Sequence, residues 1–212
     1  MALEIESKLL VPDLITAEKI KADPKIKAYM QESWRGQDMS ASYYDTPAHT
    51  LTRLHWALRL RRAGEESVAT LKTPYEGECL GLAARNEWEC PAADVREAIP
   101  RLVAQGAPEA LVQMTEGQEL IERCCIAYTR LSGVLELPGE AVAVISLDNG
   151  LLMAEDKREP FIELEIELLF GDPAEVRTLS GQLSKDYGLT PVLASKYERA
   201  LRLIRSRKRS TR

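Results

Sequence analysis

Apolar and ionisable residues alternate almost one for one over several segments of the chain. Glu4-Ile5-Glu6-Ser7-Lys8, Leu58-Arg59-Leu60-Arg61 and Phe161-Ile162-Glu163-Leu164-Glu165-Ile166-Glu167-Leu168 are the clearest. A period of two is the signature of strands with one apolar face. Strands are predicted at 3–11, 38–45, 55–63, 67–74, 82–90, 118–131, 141–148 and 160–170, with a further short one at 151–155. Pro12-Asp13 ends the first strand and opens a helical stretch to about Met30. Residues 92–114 read as helical, interrupted at Pro100 and Gly106. Asp172-Pro173 makes a good N-cap and N1 pair for a helix to about Tyr187. A last helix starts near Ser195. Many antiparallel strands with few helices predict an α+β fold with the sheet as its main body.

Sorting each strand by parity separates the charges by sign. Glu4, Glu6 and Lys8 share a face of the first strand, and Glu163, Glu165 and Glu167 share a face of the last. Arg59 and Arg61, Lys72, and Arg85 with Glu87 and Glu89 occupy the middle strands. A one-sided sheet with its charged face in water would give the same alternation. A solvated face normally mixes in Ser, Thr and Gln, however, whereas these faces are close to purely ionisable. The alternative is a closed eight-stranded antiparallel β-barrel, a tunnel with a charged lumen and helices packed outside. Its cations would repel one another without an anion, and its carboxylates without a cation. Arg and Lys suit phosphate oxygens, and carboxylates suit Mg²⁺ or Mn²⁺ shared with phosphates.

Composition narrows the reading. Of 212 residues, 45% are hydrophobic and 29% charged, enough for a sizeable core. Aromatics at 6% weaken any function built on base stacking. The net charge of -5 conceals a basic end, since Arg199, Arg202, Arg205, Arg207, Lys208, Arg209 and Arg212 lie there without an acid. A nucleic-acid partner is not expected from that tail alone. Cys79, Cys90, Cys124 and Cys125 lack zinc spacing, and only His49 and His55 could join them. Reduced thiols and a cytoplasmic location are therefore expected. No run of eighteen apolar residues is present, so neither a membrane span nor a secretory signal is expected.

The ordered set of charged segments resembles the CYTH superfamily, the triphosphate tunnel metalloenzymes. Glu4-Ile5-Glu6-Ser7-Lys8 is similar to its ExExK signature, and Tyr43-Tyr44-Asp45-Thr46 to its YYDT segment. Leu58-Arg59-Leu60-Arg61, Thr70-Leu71-Lys72 and Arg85-Asn86-Glu87-Trp88-Glu89 resemble its LRxR, TLK and RxExE strands. Glu163-Leu164-Glu165-Ile166-Glu167 resembles the late ExExE strand, and Ser195-Lys196 the start of the closing helix. The resemblance runs from residue 4 to about 203. It implies one tunnel domain over 1–205, with 206–212 a basic tail.

Carried over by position, Lys8, Arg59, Arg61, Lys72, Arg85, Arg123 and Lys196 would bind the phosphates. Glu4, Glu6, Glu165, Glu167 and Asp148 would hold Mg²⁺ or Mn²⁺. Some relatives place the last of these acids two residues earlier, where this chain has Ser146. Arg130 competes with Arg123 for the lumen if a bulge shifts their strand. Glu87, Glu163 and Lys72 are the catalytic candidates, with either glutamate able to serve as base. The implied reaction is hydrolysis of inorganic triphosphate (tripolyphosphate) to diphosphate and phosphate. An organic triphosphate is the alternative, in a nucleoside or thiamine triphosphatase or an adenylyl cyclase of the same fold. A non-catalytic polyphosphate-binding module is the third reading. Relatives acting on thiamine triphosphate carry an aromatic where this chain has Ala57, which weighs against that substrate.

Overall fold

The computed structural model describes residues 2–205. Eight long strands carry the fold. They are β1 (Ala2–Leu10), β2 (Arg35–Asp45), β3 (Ala57–Ala63), β4 (Glu66–Pro74), β5 (Ala83–Pro91), β6 (Ile121–Glu136), β7 (Val142–Ala154) and β8 (Lys157–Phe170). They follow the order β5-β4-β3-β2-β6-β7-β8-β1, and β5 also pairs with β1. The sheet therefore closes into the antiparallel barrel expected from the parity pattern. A two-residue strand, β9 (Thr190–Pro191), adds to the end of β1. The helices are α1 (Leu14–Ala22), α2 (Pro24–Tyr29), α3 (Thr50–Arg53), α4 (Val95–Ala104), α5 (Ala110–Thr115), α6 (Pro173–Tyr187) and α7 (Lys196–Arg205). None of the described helices is long and apolar enough to cross a membrane.

The hydrophobic core lies mostly on the outside of the barrel. Leu58, Leu60, Leu71 and Trp88 turn outward beneath α4 and α5. Leu9, Ile145, Leu164 and Ile166 pack with residues of α1, α2 and α6. β1, β3, β4, β5 and β8 thus set apolar residues against covering helices and turn charged residues inward. A third cluster fills one part of the interior, where Tyr197, Ala200 and Leu201 of α7 meet Tyr43, Ile126, Tyr128 and Phe161.

Several boundaries differ from the sequence reading. The stretch from Asp13 to Met30 is two helices, because Asp23-Pro24 restarts the chain with Asp23 capping Lys25 and Ile26. Pro100 lies inside α4 and does not interrupt it. The segments at 141–148 and 151–155 form one strand, β7, although Asn149-Gly150 is a turn signal. Gly150 serves close packing instead, opposite Tyr128 in the ladder. A Cβ there would lie 2.2 Å from the Ala127 carbonyl oxygen and 2.4 Å from Tyr128 Cβ. Gly150→Ala should therefore destabilise the fold by about 1–3 kcal/mol, as overpacking usually does. A midpoint shift in urea unfolding checks this, and an unchanged midpoint would show that β7 can move away.

Candidate active site

Strand register assembles the site row by row. Across β3, β4 and β5, one row aligns Arg59, Thr70 and Glu89. Arg59 donates to Thr70 at 3.0 Å and to Glu89 at 3.2 Å, and Thr70 donates to Glu89 at 2.8 Å. The next row sets Lys72 beside Glu87. Lys72 Nζ lies 3.4 Å from Glu87 and 2.5 Å from Glu4 on β1. Where β1 meets β8, Glu6 faces Glu167 and Lys8 faces Glu165. Lys8 pairs with Glu6 at 3.1 Å. On the far wall Arg130, Asp148 and Glu163 share one row of β6, β7 and β8.

The start of α7 completes the arrangement. Ser195 and Glu198 form a capping box: the Ser195 amide donates to Glu198 at 2.7 Å, and the Glu198 amide donates to Ser195 Oγ at 3.2 Å. That cap aims Lys196 and Tyr197 into the barrel. Tyr197 stacks on Tyr43 with ring centroids 4.7 Å apart. Arg85 lies 3.4 Å from the capping carboxylate of Glu198.

These side chains enclose a cavity of about 260 Å³. Of the predicted residues, Lys8, Arg59, Arg61, Lys72, Arg85, Lys196, Glu4, Glu6, Glu87, Glu165 and Glu167 all line it. Asp148 and Glu163 do not, being 0% exposed beneath the Arg130 and Lys196 side chains. Arg130 grips Asp148 through two bonds of 2.7 Å, and Lys196 lies 2.9 Å from the same carboxylate. Glu163 is held by Lys196 and Arg199. Both acids thus position cations and do not face the cavity.

Arg123 departs furthest from expectation. Tyr43 pairs with Cys124 and Tyr44 with Glu122, so Arg123 is the extra residue of a β-bulge. It points away from the lumen toward His49, and Arg130 supplies the guanidinium on this wall. Ile126, Tyr128 and Arg130 are in step on the lumen face of β6, and Arg123 is not. The roles assigned from sequence did not extend to Glu89, Tyr128, Tyr197 and Glu198. Glu89 follows from the parity of Glu87, and the Ser195-x-x-Glu198 capping box is legible in the sequence.

The lumen is internally neutralised, but unevenly. Burial, with Glu4 adding to it against the pull of Lys72, pushes the Glu87 carboxyl up to about 7. Burial and the neighbouring Glu4 and Glu6 push Glu167 to about 7. Glu165 behaves oppositely, since Lys196 and Arg130 overcome its burial and hold it well below the usual carboxylate range. Glu163 is also pushed up to about 7, by burial working against Lys196. Arg59 Nε is buried without an acceptor among the described residues.

A divalent cation fits the donor chemistry of Glu4, Glu6 and Glu167, three carboxylates whose crowding is visible in the behaviour of Glu167. Among the described residues, no three His, Cys, Asp or Glu side chains are gathered into a ready-made cage. Mg²⁺ seldom uses such a cage; it is commonly held by one or two carboxylates together with substrate phosphates.

A closed barrel whose lumen sets arginine and lysine against glutamate is a charged tunnel. The chain belongs to the CYTH domain family, whose model matches residues 2–201. The fold is similar to HpAC1 from Hippeastrum, a proposed adenylyl cyclase described as having a dominant triphosphatase activity. That chain is 18% identical, with a TM-score of 0.63 over 94% of this chain and 95% of its own. The PH1819 protein from Pyrococcus horikoshii is similar at 22% identity and a TM-score of 0.58, over 94% and 99% of the two chains. A proposed adenylate cyclase from Bacillus halodurans gives 16% and 0.55, over 92% and 96%.

Proposed function

We propose that the tunnel hydrolyses inorganic triphosphate to diphosphate and phosphate, with Mg²⁺ or Mn²⁺ as cofactor. The observation that carries this reading is the small, doubly charged lumen. At about 260 Å³ it falls below the ~300 Å³ at which pockets for drug-sized ligands begin. A compact polyanion suits it better than a nucleotide. HpAC1, described as mainly a triphosphatase, supports the same reaction class.

In this reading each lumen cation exchanges a carboxylate for a phosphate oxygen. Arg59 leaves Glu89, and Lys72 leaves Glu4 and Glu87. Arg61, Arg85, Lys8, Arg130 and Lys196 complete the cradle and offset charge on the leaving diphosphate. The carboxylates so released need a counter-cation, which makes anion and metal binding mutually supportive. Glu4, Glu6 and Glu167, with Glu165 beside them, would hold the metal, which supplies charge neutralisation and a more acidic water. Glu87 lines the lumen with a carboxyl poised near neutrality, so it is the base in this proposal. Glu163 is withdrawn behind Lys196, and both it and Asp148 act by holding cations in place.

A phosphate-release panel with tripolyphosphate, ATP, thiamine triphosphate and diphosphate, each with Mg²⁺ and Mn²⁺, tests the assignment. Tripolyphosphate should be turned over fastest. One feature favours an organic triphosphate instead: a side chamber of about 170 Å³, lined by His55 and Trp56, adjoins the lumen through Ala57, Arg85 and Tyr197. Faster turnover of ATP with both metals would establish that second reading.

Glu167→Gln separates metal binding from folding. Glu167 belongs to no ion pair among the described residues, while Glu4 and Glu6 crowd it. The variant should lose at least tenfold in metal-dependent turnover and keep or raise its metal-free thermal midpoint. Wild-type turnover at limiting metal would remove Glu167 from the site.

A further inference from the structure

A third cavity, of about 410 Å³, lies between α3, the beginning of β6 and α7. It is one side chain removed from the tunnel, since Thr52 lines it and Tyr197, which lines the lumen, bonds to Thr52 at 2.8 Å. Its described lining has two contrasting walls. His49, Arg53 and Arg123 make one, and Leu201 and Ile204 of α7 make the other. No acid lines it among the described residues, and neither arginine has a carboxylate partner there. The bulge in β6 delivers Arg123 to this wall, where its guanidinium meets the imidazole of His49.

We infer that this groove binds an organic phosphate, a phosphomonoester with an apolar or aromatic body of nucleoside size. Two guanidinium groups without a carboxylate form an uncompensated positive wall, with the His49 imidazole beside them. The planar fork of arginine matches phosphate oxygens in a way few other groups do. The lumen, by contrast, sets every arginine against glutamate and so needs a metal along with its anion. The groove needs none. Its volume lies within the ~300–1,000 Å³ usual for organic ligands, and its second wall is apolar, as such pockets mostly are. An inorganic anion alone would leave Leu201 and Ile204 without a partner. The phosphate end belongs on Arg53 and Arg123, and the apolar end on α7.

AMP is a suitable probe, having the phosphate and a flat body but no triphosphate for the tunnel. Isothermal titration of the full chain without divalent metal should show saturable binding of one AMP per chain. Arg53→Ala and Arg123→Ala should each weaken it at least tenfold, whereas the lumen variant Arg59→Ala should leave it unchanged. Orthophosphate should bind at least tenfold more weakly than AMP. Arg53 is exposed, so its variant folds even if Arg123→Ala does not, and Arg123→Lys keeps the second position testable. Arg53→Ala should retain wild-type tripolyphosphate turnover, which keeps this inference separate from the tunnel reaction. Absence of saturable binding at millimolar AMP would overturn the assignment. So would loss of binding in Arg59→Ala alone, or orthophosphate binding as tightly as AMP.

Discussion

Lys196→Met should be the most damaging single substitution in the protein, unfolding it at markedly lower urea and abolishing turnover. Lys196 Nζ lies 2.9 Å from Asp148 and 2.5 Å from both Glu163 and Glu165. Asp148 and Glu163 have no exposure to water. Methionine fills much of the lysine volume, so the loss is electrostatic more than steric. Arg130 and Arg199 would then face three buried carboxylates alone. Breaking a buried ion pair by removing one partner typically costs about 3–5 kcal/mol, because an uncompensated charge stays behind. The loss should be visible in the unfolding midpoint with the slope unchanged. Lys196→Arg, which keeps the charge, should recover much of the stability and little of the activity. A stability loss below about 1 kcal/mol for Lys196→Met would mean that these carboxylates are protonated in the fold, or that water reaches them.

The barrel and most of its lumen were legible in the sequence for one physical reason. A strand's side chains alternate, and a closed sheet makes one parity the inside. Glu4, Glu6, Lys8, Arg59, Arg61, Lys72, Glu87, Glu165 and Glu167 are all placed by that rule alone. The rule fails where alternation is broken or where depth matters. Arg123 falls on a bulge, which parity registers only when the partner strand's register is known. Asp148 and Glu163 share their row with Arg130, yet the Arg130 and Lys196 side chains cover their carboxylates, and such covering leaves no mark in a period of two. Gly150 misleads in a different way. Asn-Gly commonly marks a turn, but here the glycine makes room for Tyr128, a residue 22 positions away. The α7 plug is intermediate. Its capping box is local and readable, whereas the Tyr43–Tyr197 stack joins the two ends of the chain.

Arg59→Ala and Arg61→Ala should each reduce tripolyphosphate turnover by one to two orders of magnitude, and Arg62→Ala by almost nothing. The three arginines are consecutive in chemistry but not in direction. Arg59 and Arg61 line the lumen, where they lie 3.2 and 3.7 Å from Glu89. Arg62 pairs in register with Ser40 and Ser67 on the opposite parity and is exposed. A hydrogen bond to a charged group is worth about 1.5–3 kcal/mol, which becomes roughly ten- to a hundredfold in rate if it tightens in the transition state. An exposed substitution normally stays within about 0.5 kcal/mol of neutral. Arg59 should be the more sensitive of the two, because it is more deeply enclosed and already has one donor without an acceptor. Removing it also leaves Glu89 to Thr70 and Arg61 alone. Steady-state kinetics with saturating metal separates the outcomes. A rise in KM with kcat intact would make Arg59 a ground-state phosphate contact, and a fall in kcat would place it on the transition state. Equal damage from all three alanines would mean that β3 does not present alternate faces to lumen and solvent, and the tunnel reading would fall with it.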